Sequence, residues 1–258
     1  MSERLLPDVV RELFARLPET EEFLSHGSPC FRIIGGRQFG SLSINSHGDR
    51  GVSLWLRAPE GAQAEYVAFD PDQYFVPPYV GPNGWLGVRL DRGPTWARVA
   101  EHVREAWLTV ASRELAAQVP KIPEIRPPSR PMREDEIDPL RGDVGRAWLA
   151  RIDALCLQWP ETRLGEQYGS PCWYAGKKPF CKVQVSDVGI EALLLVGADE
   201  QSMRLDDPRF HQPRYFGARG WLGIRAAIGI ADDELGGLVE MAWRRVALKR
   251  MLRAVENT

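Results

Sequence analysis

Long apolar runs are missing from this 258-residue chain. The longest, Ala192 to Ala198, falls far short of the ~20 residues a membrane span requires. The first ten residues are charged and interrupted by Pro7, where a secretory signal needs an unbroken apolar stretch. Cysteine is scarce: Cys30, Cys156, Cys172 and Cys181 are widely spaced, which excludes a disulfide scaffold and implies reduced, mostly buried thiols. Charge of one sign is lacking too, with 33 basic against 35 acidic groups and a net charge of -2, which argues against a generally basic nucleic-acid binder. These absences together predict a cytoplasmic protein. What is present, 44% hydrophobic and 26% charged residues, is ample for a core.

The chain repeats itself. Leu17-Pro-Glu-Thr-Glu-Glu-Phe-Leu-Ser-His-Gly-Ser-Pro-Cys30 aligns with Trp159-Pro-Glu-Thr-Arg-Leu-Gly-Glu-Gln-Tyr-Gly-Ser-Pro-Cys172, identical at seven of fourteen positions. Pro77-Pro-Tyr-Val-Gly-Pro-Asn-Gly-Trp-Leu-Gly-Val-Arg89 aligns with Pro213-Arg-Tyr-Phe-Gly-Ala-Arg-Gly-Trp-Leu-Gly-Ile-Arg225, in a register that runs on to Trp107 and Trp243. Between the copies, six of the twenty prolines fall in Val119 to Pro139, which predicts an extended spacer. The expected organisation is a module over 1–118, a linker over 119–142 and a second module over 143–258, a pseudo-dimer within one chain that is itself a monomer or a weak homodimer.

Each module opens with an amphipathic helix (Leu6, Val9, Val10, Leu13, Phe14, Leu17; Trp148, Leu149, Ile152, Leu155, Cys156, Trp159). In the first module, strands are predicted over Cys30 to Ile34, Arg37 to Ile44, Val52 to Arg57 and Trp85 to Leu90. A short helix is predicted over Glu60 to Phe69 and a closing helix over Thr95 to Ala117. The fold class is therefore α+β, an antiparallel sheet with helices on one face, twice over.

Three features in order carry a resemblance: a Gly-x-Pro-x-(Phe/Trp) step after the first helix, a basic hairpin leading to Phe (Gly36-Arg37-Gln38-Phe39; Gly176-Lys177-Lys178-Pro179-Phe180), and Pro-x-Tyr-x-Gly-x-x-Gly-Trp before the last strand. The chain resembles the MmcQ/YjbR-like family in both modules. The resemblance implies a frataxin/CyaY-like fold, likened to double-wing DNA-binding modules, and a family of largely unassigned activity in which DNA binding and small-molecule binding or self-resistance are the two expectations. Many relatives carry Lys or His between the motif Tyr and Trp; here Pro82 and Asn83, and Ala218 and Arg219, stand there.

Catalytic and metal chemistry find little support, and neither enzyme activity nor a cofactor is expected. Ser28 and Ser170 sit in Gly-Ser-Pro, whose proline offers no N–H to an oxyanion, and His26 as a base has only Tyr168 as its counterpart. His26 with Cys30, or Cys172 with Cys181, falls short of four zinc ligands. Two binding sites are predicted instead. Lys177, Lys178 and Lys182 crowd one hairpin, and Arg245, Lys249 and Arg253 recur every four residues as if on one helical face, a candidate contact to DNA phosphates. Tyr79 with Trp85, and Tyr215 with Trp221, recur in Gly-rich loops where an aromatic face could meet a planar small molecule. A cleft between the modules is a further candidate for that ligand.

Overall fold

A computed structural model describes residues 3–25, 27–46, 49, 51–118 and 125–256. Its first module starts with α1 (Leu6–Ala15), whose Pro7 suits a helical first turn where the N–H has no partner anyway. The strands β1 (Thr20–Ser25), β2 (Ser28–Ile33), β3 (Gln38–Ile44) and β4 (Val52–Arg57) follow. Then come α2 (Ala62–Phe69), β5 (Tyr74–Phe75), a 3-10 turn at Gly81–Asn83, β6 (Trp85–Arg89), α3 (Trp96–Leu108) and the short α4 (Arg113–Ala116). The sheet order is β1-β2-β3-β4-β6-β5 with antiparallel neighbours throughout.

After α5 (Glu134–Ile137) and a 3-10 turn at Pro139–Arg141, the second module repeats the sequence of elements. These are α6 (Asp143–Leu157), β7 (Thr162–Gln167), β8 (Ser170–Ala175), β9 (Lys178–Ser186), β10 (Gly189–Leu195), α7 (Ala198–Arg204), β11 (Phe210–His211), a turn at Gly217–Arg219, β12 (Trp221–Arg225), α8 (Asp232–Val246) and α9 (Lys249–Glu256). Its sheet has the same order, β7-β8-β9-β10-β12-β11. The α+β reading with two sheets therefore holds.

The repeated sequence motifs have structural causes. The indole N–H of Trp107 donates to the Pro18 carbonyl at 3.2 Å, and that of Trp243 donates to Pro160 at 3.3 Å, tying the last long helix of each module to its Pro-Glu-Thr turn. The turn puts Glu19 and Glu161 in the left-handed region, at φ 50° and 53°. Core volumes compensate across the repeat. Phe14 stacks on Phe31 at 3.8 Å, and a Cβ on Gly40 would stand 2.6 Å from the Phe14 ring. The matching pair in the second module, Cys156 and Cys181, shares the volume between two mid-sized side chains, both buried. All four cysteines are unpaired and buried, and burial pushes the Cys30, Cys172 and Cys181 thiols up.

Several boundaries differ from expectation. The closing helix stops at Leu108 and restarts after Ser112, whose Oγ caps α4 by accepting from Leu115 N–H. Strands β1 and β5 fall outside the expected set, because β1 carries two glutamates on a sheet edge and β5 is two residues long. The chain divides into compact units at Arg133/Glu134. Residues of the predicted spacer are distributed between the units: Ser129 exchanges two hydrogen bonds with the Arg4 backbone, Ile125 is buried, and Pro139–Arg141 seats against Gly145, where a Cβ would run into the Pro139 oxygen. Pro120 and Pro123 lie outside the described residues. Among the described residues no helix is long and apolar enough to cross a membrane.

Candidate functional site

In the first module a cleft of about 730 Å³ opens where β4 gives way to α2. Arg57, Ala58, Pro59 and Glu60 form one side, Asn83 and Gly84 of the Gly-rich loop another, and Glu105 and Leu108 of α3 with the adjoining Thr109 the third. Gln63 fixes this shape by donating to the carbonyls of Gly81 and Trp85, at 2.8 and 2.5 Å. Gly84 has φ +78° and open space where a side chain would stand. Its carbonyl accepts from Ala58 N–H at 3.1 Å, which joins two walls of the cleft.

Beneath the cleft lies a buried polar chain. Tyr74 and His102 are 7% and 3% exposed, and the Tyr74 hydroxyl is 3.0 Å from His102 Nε2. On the other side of the ring, Nδ1 is 3.4 Å from a Glu105 carboxylate oxygen. Tyr66 meets the imidazole edge-on at 4.7 Å, and its hydroxyl accepts from Arg98 at 3.2 Å. Burial lowers the His102 pKa against the pull of Glu105, which favours the neutral ring. A gap of about 10 Å³, about one water in size, joins His102 and Tyr66 to Glu105, Arg57 and Pro59 of the cleft wall.

The second module provides an internal comparison. Through the 136-residue register, Tyr74, His102 and Glu105 correspond to Phe210, Leu238 and Met241, so the polar chain is replaced by apolar side chains, the first two buried. Thr109 corresponds to Arg245, and the Arg245 guanidinium lies over Gly197, in the space a Cβ there would take. Gly220, the counterpart of Gly84, is pressed against the Gly197 backbone, with Gly197 N–H donating to its carbonyl at 2.8 Å. The same fold thus has an open, polar-floored cleft in one copy, and in the other an apolar floor with the Arg245 guanidinium lying over Gly197. Burying a polar network costs stability unless every member is satisfied, and the second copy demonstrates that the fold does not require it.

The sequence-predicted residues fall out differently. Tyr79 and Tyr215 point outward, 75% and 66% exposed, at φ 64° and 67°. Trp85 and Trp221 are buried at 6% and 5% and pack inward, so neither pair forms a stacking platform on the cleft; the loop lines it through Asn83 and Gly84. The basic stripe is broken, because α8 ends at Val246 and extended backbone at Ala247 (ψ 141°) separates Arg245 from Lys249 and Arg253 on α9. Lys182 is 3% exposed, inside the sheet, and does not join Lys177 and Lys178 on the hairpin surface. That hairpin does meet α9: a Cβ on Gly176 would stand 3.5 Å from Met251 and 3.8 Å from Leu248, placing exposed Lys177 and Lys178 beside the foot of the helix that carries exposed Lys249 and Arg253. His26 lies outside the described residues. Cys172 pairs across from Lys182 and Cys181 across from Trp173, so the two thiols point to opposite faces and cannot share a metal.

The YjbR family model matches residues 15–109, from the end of α1 through α3. No curated protein matches the chain.

Proposed function

We propose that the chain, whose first module matches the YjbR family model over residues 15–109, is a binding protein that holds a small polar molecule in the Arg57/Asn83/Glu105 cleft of that module. The observation that carries this reading is the contrast within one chain between an open cleft at Thr109 and the Arg245 guanidinium lying over Gly197. A volume of about 730 Å³ lies within the usual ~300–1,000 Å³ range of small-molecule pockets. Its wall carries one guanidinium, Arg57, and two carboxylates, Glu60 and Glu105. The ligand class that fits bears a basic group for the carboxylates and an anionic or accepting group for Arg57. The test is ligand-observed NMR of the full chain with a library of amines and amino-acid derivatives, repeated on Thr109→Arg, which copies Arg245. Binding by the parent and not by the variant supports the proposal; equal binding by both sinks it.

A second reading rests on the Gly176 contact with Leu248 and Met251. Lys177, Lys178, Lys249 and Arg253 form a candidate surface for a phosphate polymer such as DNA, without Lys182 and Arg245. Its test is duplex DNA binding at increasing salt, where each neutralised phosphate contributes a slope of about -0.9 in log K against log salt. Salt-independent or absent binding at low ionic strength ends it.

A further inference from the structure

Lys182 is the most thoroughly buried cationic side chain that the two readings above leave unused. It projects from β9 on the sheet face away from α6 and α8, opposite Leu193 on β10 and Cys172 on β8. Among the described residues no carboxylate pairs with its Nζ and no oxygen accepts a hydrogen bond from it. Glu191 shares this face, yet both its oxygens are engaged, one with Gln184 Nε2 at 3.0 Å and the other with His211 Nε2 at 2.6 Å. Nζ is flanked instead by two rings, Phe216 at 5.1 Å and Tyr168 at 5.6 Å from their centroids, and Phe216 is backed edge-on by Trp221 at 5.8 Å.

A buried ammonium needs an anion or several acceptors to replace its water, and two ring faces return only part of what burial removes. The amine is therefore driven toward its neutral form; burial lowers the Lys182 pKa, against the opposing influence of Cys172 and Glu191. A neutral amine is a nucleophile where a protonated one is not. Tyr168 is 73% exposed, so the outer wall of the cage is one ring thick and faces water. The first module has Ser41 in place of Lys182, Ser43 and Ser53 in place of Gln184 and Glu191, and Phe75 in place of His211, so the sheet does not need this set in order to form.

We propose that Lys182 captures a planar carbonyl compound, an aromatic aldehyde in chemical class, as an imine between the rings of Tyr168 and Phe216. The amine lone pair adds to the carbonyl carbon, the resulting carbinolamine expels its oxygen as water with the two protons lost from nitrogen, and a C=N bond remains. No oxidant or reductant is consumed, and hydrolysis reverses the step.

The experiment uses the full chain at pH 7 with 4-hydroxybenzaldehyde and cyanoborohydride, which makes the adduct permanent, followed by digestion and mass spectrometry. Exposed Lys177, Lys178 and Lys249 serve as internal references. Lys182 is expected to be alkylated severalfold faster than these, because its lowered basicity enlarges the fraction of neutral amine at pH 7. Lys182→Met should abolish the fast phase and leave the other three rates unchanged. Alkylation of Lys182 no faster than the reference lysines overturns the proposal, as does a fast phase that survives in Lys182→Met. An equal rate enhancement with acetaldehyde overturns the planar class.

Discussion

If the Tyr74–His102 pair serves the cleft and not the fold, converting it to the apolar pair found in the second module should leave the first module at least as stable. Each half of the conversion alone should be costly. Tyr74→Phe removes the hydroxyl 3.0 Å from His102 Nε2 and strands a ring nitrogen in a site 3% exposed. Losing a buried partner costs about 1–3 kcal/mol. His102→Leu strands the Tyr74 hydroxyl at a similar cost, partly offset by the added apolar burial. Tyr74→Phe combined with His102→Leu reproduces the arrangement of Phe210 and Leu238 and strands no buried group, since Glu105, the other partner of His102, is 34% exposed and can turn to water, so the double variant should return to within about 0.5 kcal/mol of the parent or exceed it. The coupling between the two positions is then about 2 kcal/mol or more, far outside additivity. Hydrogen exchange of α3 amides in the full chain reads first-module opening directly and avoids assuming two-state unfolding of a two-unit chain. At about tenfold per 1.4 kcal/mol, the single variants should exchange roughly 10- to 100-fold faster and the double variant at the parent rate. Additive single costs, or a double variant worse than either single, would refute the reasoning.

The same histidine predicts a pH dependence. Burial, with Arg98 adding to it and Glu105 and Glu101 opposing it, holds the folded pKa of His102 below its ordinary value, so the unfolded state binds the extra proton first as pH falls. First-module stability is thus complete above about pH 6.5 and is lost as pH drops from there through the folded pKa, which thermal melts between about pH 7.5 and 5 should register. His102→Leu should flatten that slope, and an unchanged slope would remove His102 as its cause. Gly145→Ala should destabilise the second module by about 1–3 kcal/mol, because its Cβ would collide with the backbone of Pro139 and Leu140; a neutral effect in urea unfolding would mean that this turn yields freely. Arg245→Thr should open a second cleft between Gly197 and α8, detectable as new fragment binding to the second module.

Much of the architecture is legible because the chain contains its own alignment. The Pro-Glu-Thr turns and the paired Trp107 and Trp243 recur since each indole closes on a proline carbonyl, a constraint that local sequence expresses twice. The site is less legible. Proximity along the chain groups Lys182 with Lys177 and Lys178, although its neighbours Phe180, Cys181 and Val183 already mark a strand interior where a one-residue step changes faces. His102 lies on the same helical stripe as Val99, Val103 and Ala106, so spacing alone identifies a buried position and not its partners. Comparison with Leu238 is the available signal. Tyr74 reaches His102 only because β5 pairs with β6, and a two-residue strand leaves too short a pattern to read. The break at Ala247 has no sequence marker, since neither Gly nor Pro stands there.

The most direct measurement is the amide spectrum of the full chain titrated with amine- and amino-acid-bearing fragments, in the parent and in Thr109→Arg. Shifts confined to Arg57, Asn83, Gly84, Glu105 and their neighbours, absent at Gly197, Gly220 and Arg245 and abolished by Thr109→Arg, are the predicted result. Fragment shifts that spread equally over both modules, or that persist unchanged in Thr109→Arg, would contradict it.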